Sequence, residues 1–197
     1  INQMSENMIN IETFIIIILL YLLGSIPFAV VSSKIFNLPD PRSFGSKNPG
    51  ATNVMRSGNK LAALFTLLGD GLKGFIPISF LLSHGVIEYE LYLLSFVILI
   101  GHCYPVTLNF KGGKGVATSL GILFALTPLV GMCVIILWLL VYYLFKVSGV
   151  SALVGFLLLP LFMYLFNDDS YMIVLSFFNV IFIYLTHKKN IIEFLSN

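Results

Sequence analysis

Gly101-His102-Cys103-Tyr104-Pro105-Val106-Thr107-Leu108-Asn109-Phe110-Lys111-Gly112-Gly113-Lys114-Gly115-Val116-Ala117-Thr118 sets a glycine-rich basic turn between two apolar runs. Outward from it such runs recur along the chain: Ile11 to Ser33, Leu61 to Leu82, Leu91 to Tyr104, Val116 to Leu126, Leu129 to Phe145, Val150 to Phe166 and Tyr171 to Thr186. With 58% of 197 residues hydrophobic and 10% charged, the chain is too apolar for one soluble core. A bilayer interior of about 30 Å takes roughly 20 apolar residues per helix, so the pattern predicts an all-α polytopic membrane protein of about seven transmembrane helices, with six as the alternative. The third and fourth runs are short and flank the basic turn. One of them is therefore a candidate for a partly spanning or re-entrant segment, tolerated only where its backbone is buried in protein or meets water. The first run is too long and too uninterrupted for a secretory signal, and no small-residue cleavage site follows it before Gly24-Ser25-Ile26-Pro27-Phe28, so it is expected to be a retained helix. Residues 1–10 are expected to form a flexible N-terminal tail and 11–197 a single membrane domain, because no linker or low-complexity segment divides the runs.

Charge placement orients the chain. Of eleven Lys and Arg, Lys34, Arg42, Lys47, Arg56 and Lys60 follow the first run, Lys111 and Lys114 lie between runs three and four, Lys146 lies between five and six, and Lys188 and Lys189 follow the last. These are alternate loops. The opposite loops hold no Lys or Arg but carry Glu88 with Glu90 and Asp168 with Asp169. By the positive-inside rule the basic loops face the cytoplasm, with the N-terminus outside and the C-terminus inside. Cys103 and Cys133 imply neither a metal framework nor a disulfide scaffold and read as small buried hydrophobes.

Three of the basic loops have a composition suited to anions. Phe44-Gly45-Ser46-Lys47-Asn48-Pro49-Gly50-Ala51-Thr52-Asn53-Val54-Met55-Arg56 mixes turn formers, hydrogen-bonding side chains and two cations. Arg56 can grip a phosphate with two parallel bonds, while Ser46, Asn48 and Asn53 can hydrogen-bond it; alone, the loop also fits a polar turn whose cations only set topology. In the second loop Gly112, Gly113 and Gly115 bracket Lys114 just ahead of a helix start, where backbone N–H groups could converge on a phosphate. A nucleotide-binding P-loop would need Gly where Leu108 stands and Ser or Thr where Gly115 stands, so an ATPase is excluded. The third is His187-Lys188-Lys189-Asn190-Ile191; His187 and Asn190 share a face if the helix continues, and the lysines suit anionic lipid heads. Within the runs, Asp70 and Lys73 are spaced to pair on one helix face, and a structural ion pair is the favoured reading. His102 fits structural bonding and catalysis equally, and Ser148 and Ser151 beside Lys146 fit ordinary helix caps.

Together, Gly45-Ser46-Lys47-Asn48-Pro49-Gly50-Ala51-Thr52-Asn53, Gly101-His102 with Pro105 and Phe110 to Thr118, and His187 with Asn190-Ile191 resemble the bacterial PlsY family of acyl-phosphate:glycerol-3-phosphate acyltransferases. Gly24-Ser25-Ile26-Pro27 and Asp70 with Lys73-Gly74 extend the likeness over nearly the whole chain. The resemblance implies a seven-helix enzyme of the inner membrane that uses no cofactor or metal. Such an enzyme moves a fatty acyl group from acyl phosphate to the 1-hydroxyl of glycerol 3-phosphate, giving 1-acylglycerol 3-phosphate (lysophosphatidic acid) and phosphate, the first acylation of phospholipid synthesis. Carried over by position, Ser46, Arg56, Lys114, Ser151, His187 and Asn190 look like its active-site residues. Glu193, Phe194 and the Phe145-Lys146 pair depart from the family pattern. The implied partners are the two phosphorylated substrates and membrane lipids, with the soluble enzyme that makes acyl phosphate able to dock transiently; nucleic acid is not among them.

Acyl phosphate carries its own leaving group, and no Asp-His-Ser set is evident, so direct attack is expected, with Ser46 positioning or relaying rather than becoming acylated. His187 is expected to bind a phosphate or assist proton transfer, and Asn190 to orient it. The alternative from another class is a transporter of a small organic phosphate, against which the polar chemistry lies at one membrane face where alternating access wants a central site. A non-catalytic scaffold leaves the loop chemistry without purpose.

Overall fold

The computed structural model describes residues 2–196, excluding the side chains of 2–10, 194 and 195. It is all-helical among the described residues: α1 (Asn2–Gly24), α2 (Phe28–Ile35), α3 (Ala51–Met55), α4 (Lys60–Ser83), α5 (Glu88–Cys103), α6 (Val116–Leu126), α7 (Pro128–Phe145), α8 (Ser148–Leu157), α9 (Leu159–Phe166), α10 (Ser170–Thr186) and α11 (Lys188–Leu195). Their starts follow local chemistry. Asn59 Oδ1 accepts the Ala62 N–H at 2.9 Å ahead of α4, Asp169 Oδ1 accepts that of Tyr171 at 2.8 Å ahead of α10, and Pro128 opens α7 where no N–H is missed.

Among the described residues, Lys60–Ser83, Glu88–Leu108, Pro128–Phe145 and Ser148–Phe166 are long and apolar enough to cross a membrane, as is the bent pair Ile11–Gly24 and Phe28–Ile35 if counted as one. Val116–Leu126 and Ser170–Thr186 are shorter apolar helices. The chain is a multi-pass membrane protein.

Four expectations from the sequence change here. The first run is not one helix: it bends by 43° at Ser25-Ile26-Pro27, because Pro27 has no N–H to donate and bars Ile26 from helical backbone. The third run is not short, since it begins at the polar Glu88 and continues through a 3-10 turn at Val106–Leu108 to reach 21 residues. The sixth breaks at Leu158, just before Pro160 in the first turn of α9. Residues 2–10, expected as a tail, continue α1 in their backbone.

Lipid-facing and interior positions differ in kind. Leu67, Leu68, Ile136, Leu139, Phe177 and Ile181 are exposed, as hydrocarbon contact allows. Inside, Ile98, Leu99, Ile122, Leu123, Phe156 and Met163 form a core that also admits small and polar groups. Ser119 Oγ donates to Asn179 Oδ1 at 3.4 Å and Asn179 Nδ2 to the Tyr92 hydroxyl at 3.3 Å, linking α6, α10 and α5 through buried polar side chains. Helices α4 and α6 pack backbone against backbone. A Cβ at Gly121 would run into the Gly71 carbonyl oxygen, and Thr118 Oγ1 donates to the Asp70 carbonyl at 2.9 Å. Gly121→Val should therefore lower the thermal midpoint in detergent by about 5–10 °C through overpacking of about 1–3 kcal/mol. Leu139→Ala on the exposed face should shift it by less than about 2 °C, and equal shifts would refute the seam.

The bundle has two chemically distinct ends. At one, Tyr89 and Tyr171 pack with ring centroids 5.1 Å apart and planes tilted by 34°, bringing the acidic starts of α5 and α10 together. At the other meet the basic loops.

Candidate active site

Lys114 stands where the basic loops converge. Its Nζ donates to Asn190 Oδ1, and its carbonyl accepts the Thr186 hydroxyl at 3.0 Å, so the strap between α5 and α6 is stitched to the end of α10. Gly149, at the start of α8, would put a Cβ 3.5 Å from Asn190 Nδ2. Ser148 Oγ lies 3.2 Å from Thr52 Oγ1 of α3, which brings in the first loop, and Pro49 borders one small cavity together with Gly112 and Gly113. Burial holds the Lys114 ammonium below its ordinary pKa of 10.5; Glu193 pushes it up, and the Arg56 and Lys189 charges push it further down. Arg56 and Lys114 thus form a cationic centre whose charges feel one another, poised for an anion.

His187 ends α10 and is buried. Its Nδ1 lies 2.8 Å from the Ile183 carbonyl oxygen, which can only accept, so Nδ1 carries the proton and Nε2 keeps a lone pair. Burial brings its pKa from 6.5 to about 4, a drop that the Ile183 bond opposes and the Lys114 charge reinforces. The imidazole is neutral at physiological pH. It can accept a proton from a hydroxyl but offers a phosphate no charge.

The glycines do a different job from the one expected. Gly112 N–H donates to the Cys103 carbonyl at 3.0 Å and Gly113 N–H to that of His102 at 3.1 Å, so both donors are spent on the end of α5. A Cβ at Gly112 would strike the His102 carbonyl and one at Gly113 the His102 imidazole, so glycine is demanded by close approach. Gly115, at φ +85°, turns the strap into α6.

Other expected phosphate ligands also turn inward. Asn53 Oδ1 accepts the Ser46 N–H at 2.9 Å and its Nδ2 donates to the Pro41 and Phe44 carbonyls at 2.6 and 3.2 Å, so it shapes the loop that presents Ser46. Ser151 is buried and donates to the Val147 carbonyl at 3.0 Å. Ser46 and Arg56 are exposed, and Asn48 is half-buried beside Gly50. Asp70 and Lys73 lie 2.8 Å apart deep in α4, with His102 Nδ1 3.4 Å from the same carboxylate oxygen. Sequence reasoning missed Thr186 and Thr52; their positions directly before His187 and directly beside Asn53 were the only signals.

Fold and site together define a polytopic helical membrane protein with a cationic centre at one end of its bundle. A family model described as glycerol-3-phosphate acyltransferase matches residues 14–197, and the chain belongs to that family. Similar proteins include glycerol-3-phosphate acyltransferases of Herminiimonas arsenicoxydans, 49% identical over 177 residues covering 87% of this chain and 85% of the relative, and of Ruthia magnifica subsp. Calyptogena magnifica, 46% identical over 191 residues covering 93% and 94%. Among solved structures, the glycerol 3-phosphate form of PlsY (YgiH), an integral membrane glycerol 3-phosphate acyltransferase, superposes with a TM-score of 0.87 at 32% identity, covering 94% of this chain and 92% of that one. Its lysophosphatidic acid form gives 0.86 at 31%, with the same coverage.

Proposed function

We propose that this protein transfers a fatty acyl group from acyl phosphate to the 1-hydroxyl of sn-glycerol 3-phosphate, with the site at the cytoplasmic face of the inner membrane. The observation that carries this reading is the convergence of Arg56, Lys114, Asn190 and the neutral His187 where the basic loops meet. Family membership and the likeness to a glycerol 3-phosphate form and a lysophosphatidic acid form support it. The basic loops, facing inward by the positive-inside rule, support the sidedness.

Two phosphorylated molecules repel each other, and Arg56 and Lys114 offset that repulsion where the membrane edge lowers the dielectric. The glycerol oxygen attacks the acyl carbon, the bond from that carbon to the bridging phosphate oxygen breaks, and phosphate leaves with the bonding pair. The hydroxyl proton passes to His187 Nε2 or to the departing phosphate. Ser46, held by Asn53 at the rim, orients a substrate. The soluble enzyme that makes acyl phosphate would deliver it to this face.

Incubating purified protein with palmitoyl phosphate and labelled glycerol 3-phosphate should yield labelled lysophosphatidic acid and one equivalent of phosphate. Uptake into vesicles without that product would instead identify a transporter. With palmitoyl phosphate alone, mass spectrometry should find no acyl group on Ser46; a stoichiometric adduct there would overturn direct attack.

A further inference from the structure

Asp70, Lys73 and His102 form a buried cluster for which acyl transfer has no direct use. They are 3%, 4% and 8% exposed, and the carboxylate of Asp70 faces both the Lys73 ammonium at 2.8 Å and His102 Nδ1 at 3.4 Å. A buried ion pair is poor value as stability alone, since apolar side chains of equal volume often serve as well. What distinguishes this one is what it holds. Lys73 Nζ donates at 2.9 Å to the Ile26 carbonyl, at the break between α1 and α2. The Asp70 carbonyl accepts the hydroxyl of Thr118, in the first turn of α6, at 2.9 Å. The His102 carbonyl accepts the Gly113 N–H at 3.1 Å, and its imidazole packs against Gly113 so closely that no Cβ fits between them.

Lys114 therefore stands on a strap whose two ends are both referred to one residue. On the N-terminal side the chain of contacts runs Gly113, His102, Asp70; on the C-terminal side it runs Thr118, Asp70. Rotation of either His102 or the first turn of α6 would carry Lys114 with it. A cavity of about 10 Å³, enough for one water, lies among Ser25, Pro49, Asp70, Lys73, His102 and Gly113, so the cluster also reaches the loop that presents Ser46.

We infer that Asp70, clamped between Lys73 and His102, is a positioning residue that sets the place of the Lys114 ammonium in the site. The inference rests on the reading of Lys114 as a substrate-phosphate ligand for its consequence in catalysis, but not for its geometry.

Two measurements on Asp70→Asn and His102→Gln, purified in detergent and checked for monodisperse elution, test it. The first is the rate at which acetic anhydride labels Lys114, read by peptide mass spectrometry with Lys111 as internal standard. Freed from Asn190 and from its half-buried setting, Lys114 should label at least about threefold faster in both variants, as displacement of a held group predicts. The second is a cycle on kcat/KM. Asp70→Asn should cost about tenfold in the parent protein but less than about twofold in a Lys114→Met background, because a residue acting through Lys114 has nothing left to act on. Unchanged Lys114 labelling in the folded variants overturns the inference, as does a fully additive cycle, which marks a merely structural role. Should Asp70→Asn not fold, His102→Gln decides alone. If the parent protein makes no lysophosphatidic acid, the acyltransfer reading fails, while labelling still decides whether Asp70 positions Lys114.

Discussion

Lys114→Met should lower kcat/KM for acyl transfer by about 10²–10³-fold, the usual cost of removing one preorganised charge partner from a water-poor site. Methionine keeps the length and the apolar stem of lysine while deleting the ammonium, so the strap from Gly112 to Gly115 keeps its backbone contacts with α5. Those contacts are the Gly112 and Gly113 bonds to the Cys103 and His102 carbonyls, and none involves the Lys114 side chain. What is lost is the hydrogen bond to Asn190 and the cation that stands within electrostatic reach of Arg56. Arg56→Ala should cost less, about tenfold to 10²-fold, because Arg56 is exposed and water screens it. Both variants should elute from size exclusion as the parent does. Near-parental rates for Lys114→Met would remove the phosphate-binding role.

The place of Lys114 among the basic loops was legible in the chain alone, whereas the bonding of its neighbours was not. A lysine among three glycines ahead of an apolar run is a local pattern, and local patterns survive in sequence. The partners of Gly112 and Gly113 are carbonyls of the preceding helix, and no spacing rule shows that these N–H groups are already spent. Asn53 and Ser151 misled for a similar reason: each is a polar residue in a basic loop, and each turns its hydrogen bonds inward to carbonyls within its own segment. Spans were easier. Runs two, five and seven end within a residue of α4, α7 and α10, because hydropathy changes sharply where lysine, asparagine or aspartate begins or ends a helix. Pro27 and Pro160 were visible too, but an unbroken apolar run hid their effect. In hydrocarbon a helix can break only where something takes over the freed carbonyl, and at Ile26 that is Lys73, 47 residues away.

His187→Ala should reduce kcat by about 10²–10⁴-fold if its imidazole is the base, the range for a positioned proton acceptor. The structure makes the requirement specific. With Nδ1–H committed to the Ile183 carbonyl, only Nε2 can act, and only while it is unprotonated. Burial favours that state, since it penalises the imidazolium and lowers the pKa to about 4. The folded protein therefore binds fewer protons here than the unfolded chain, whose histidine titrates at 6.5. This contribution to stability is complete above pH 6.5 and is lost as the pH falls from there toward 4. In a ¹⁵N-histidine NMR titration in detergent, the resonances that disappear in His187→Ala should stay those of a neutral ring from pH 8 to 5 and turn over near 4. A midpoint near 6.5 would mean that burial does not hold the imidazole neutral, and that its charge is available to a substrate phosphate over the acid part of the working range. A neutral ring combined with a loss of less than about tenfold in His187→Ala would move the proton elsewhere, onto the departing phosphate, whose second ionisation close to neutral pH makes it a competent acceptor once the acyl bond breaks.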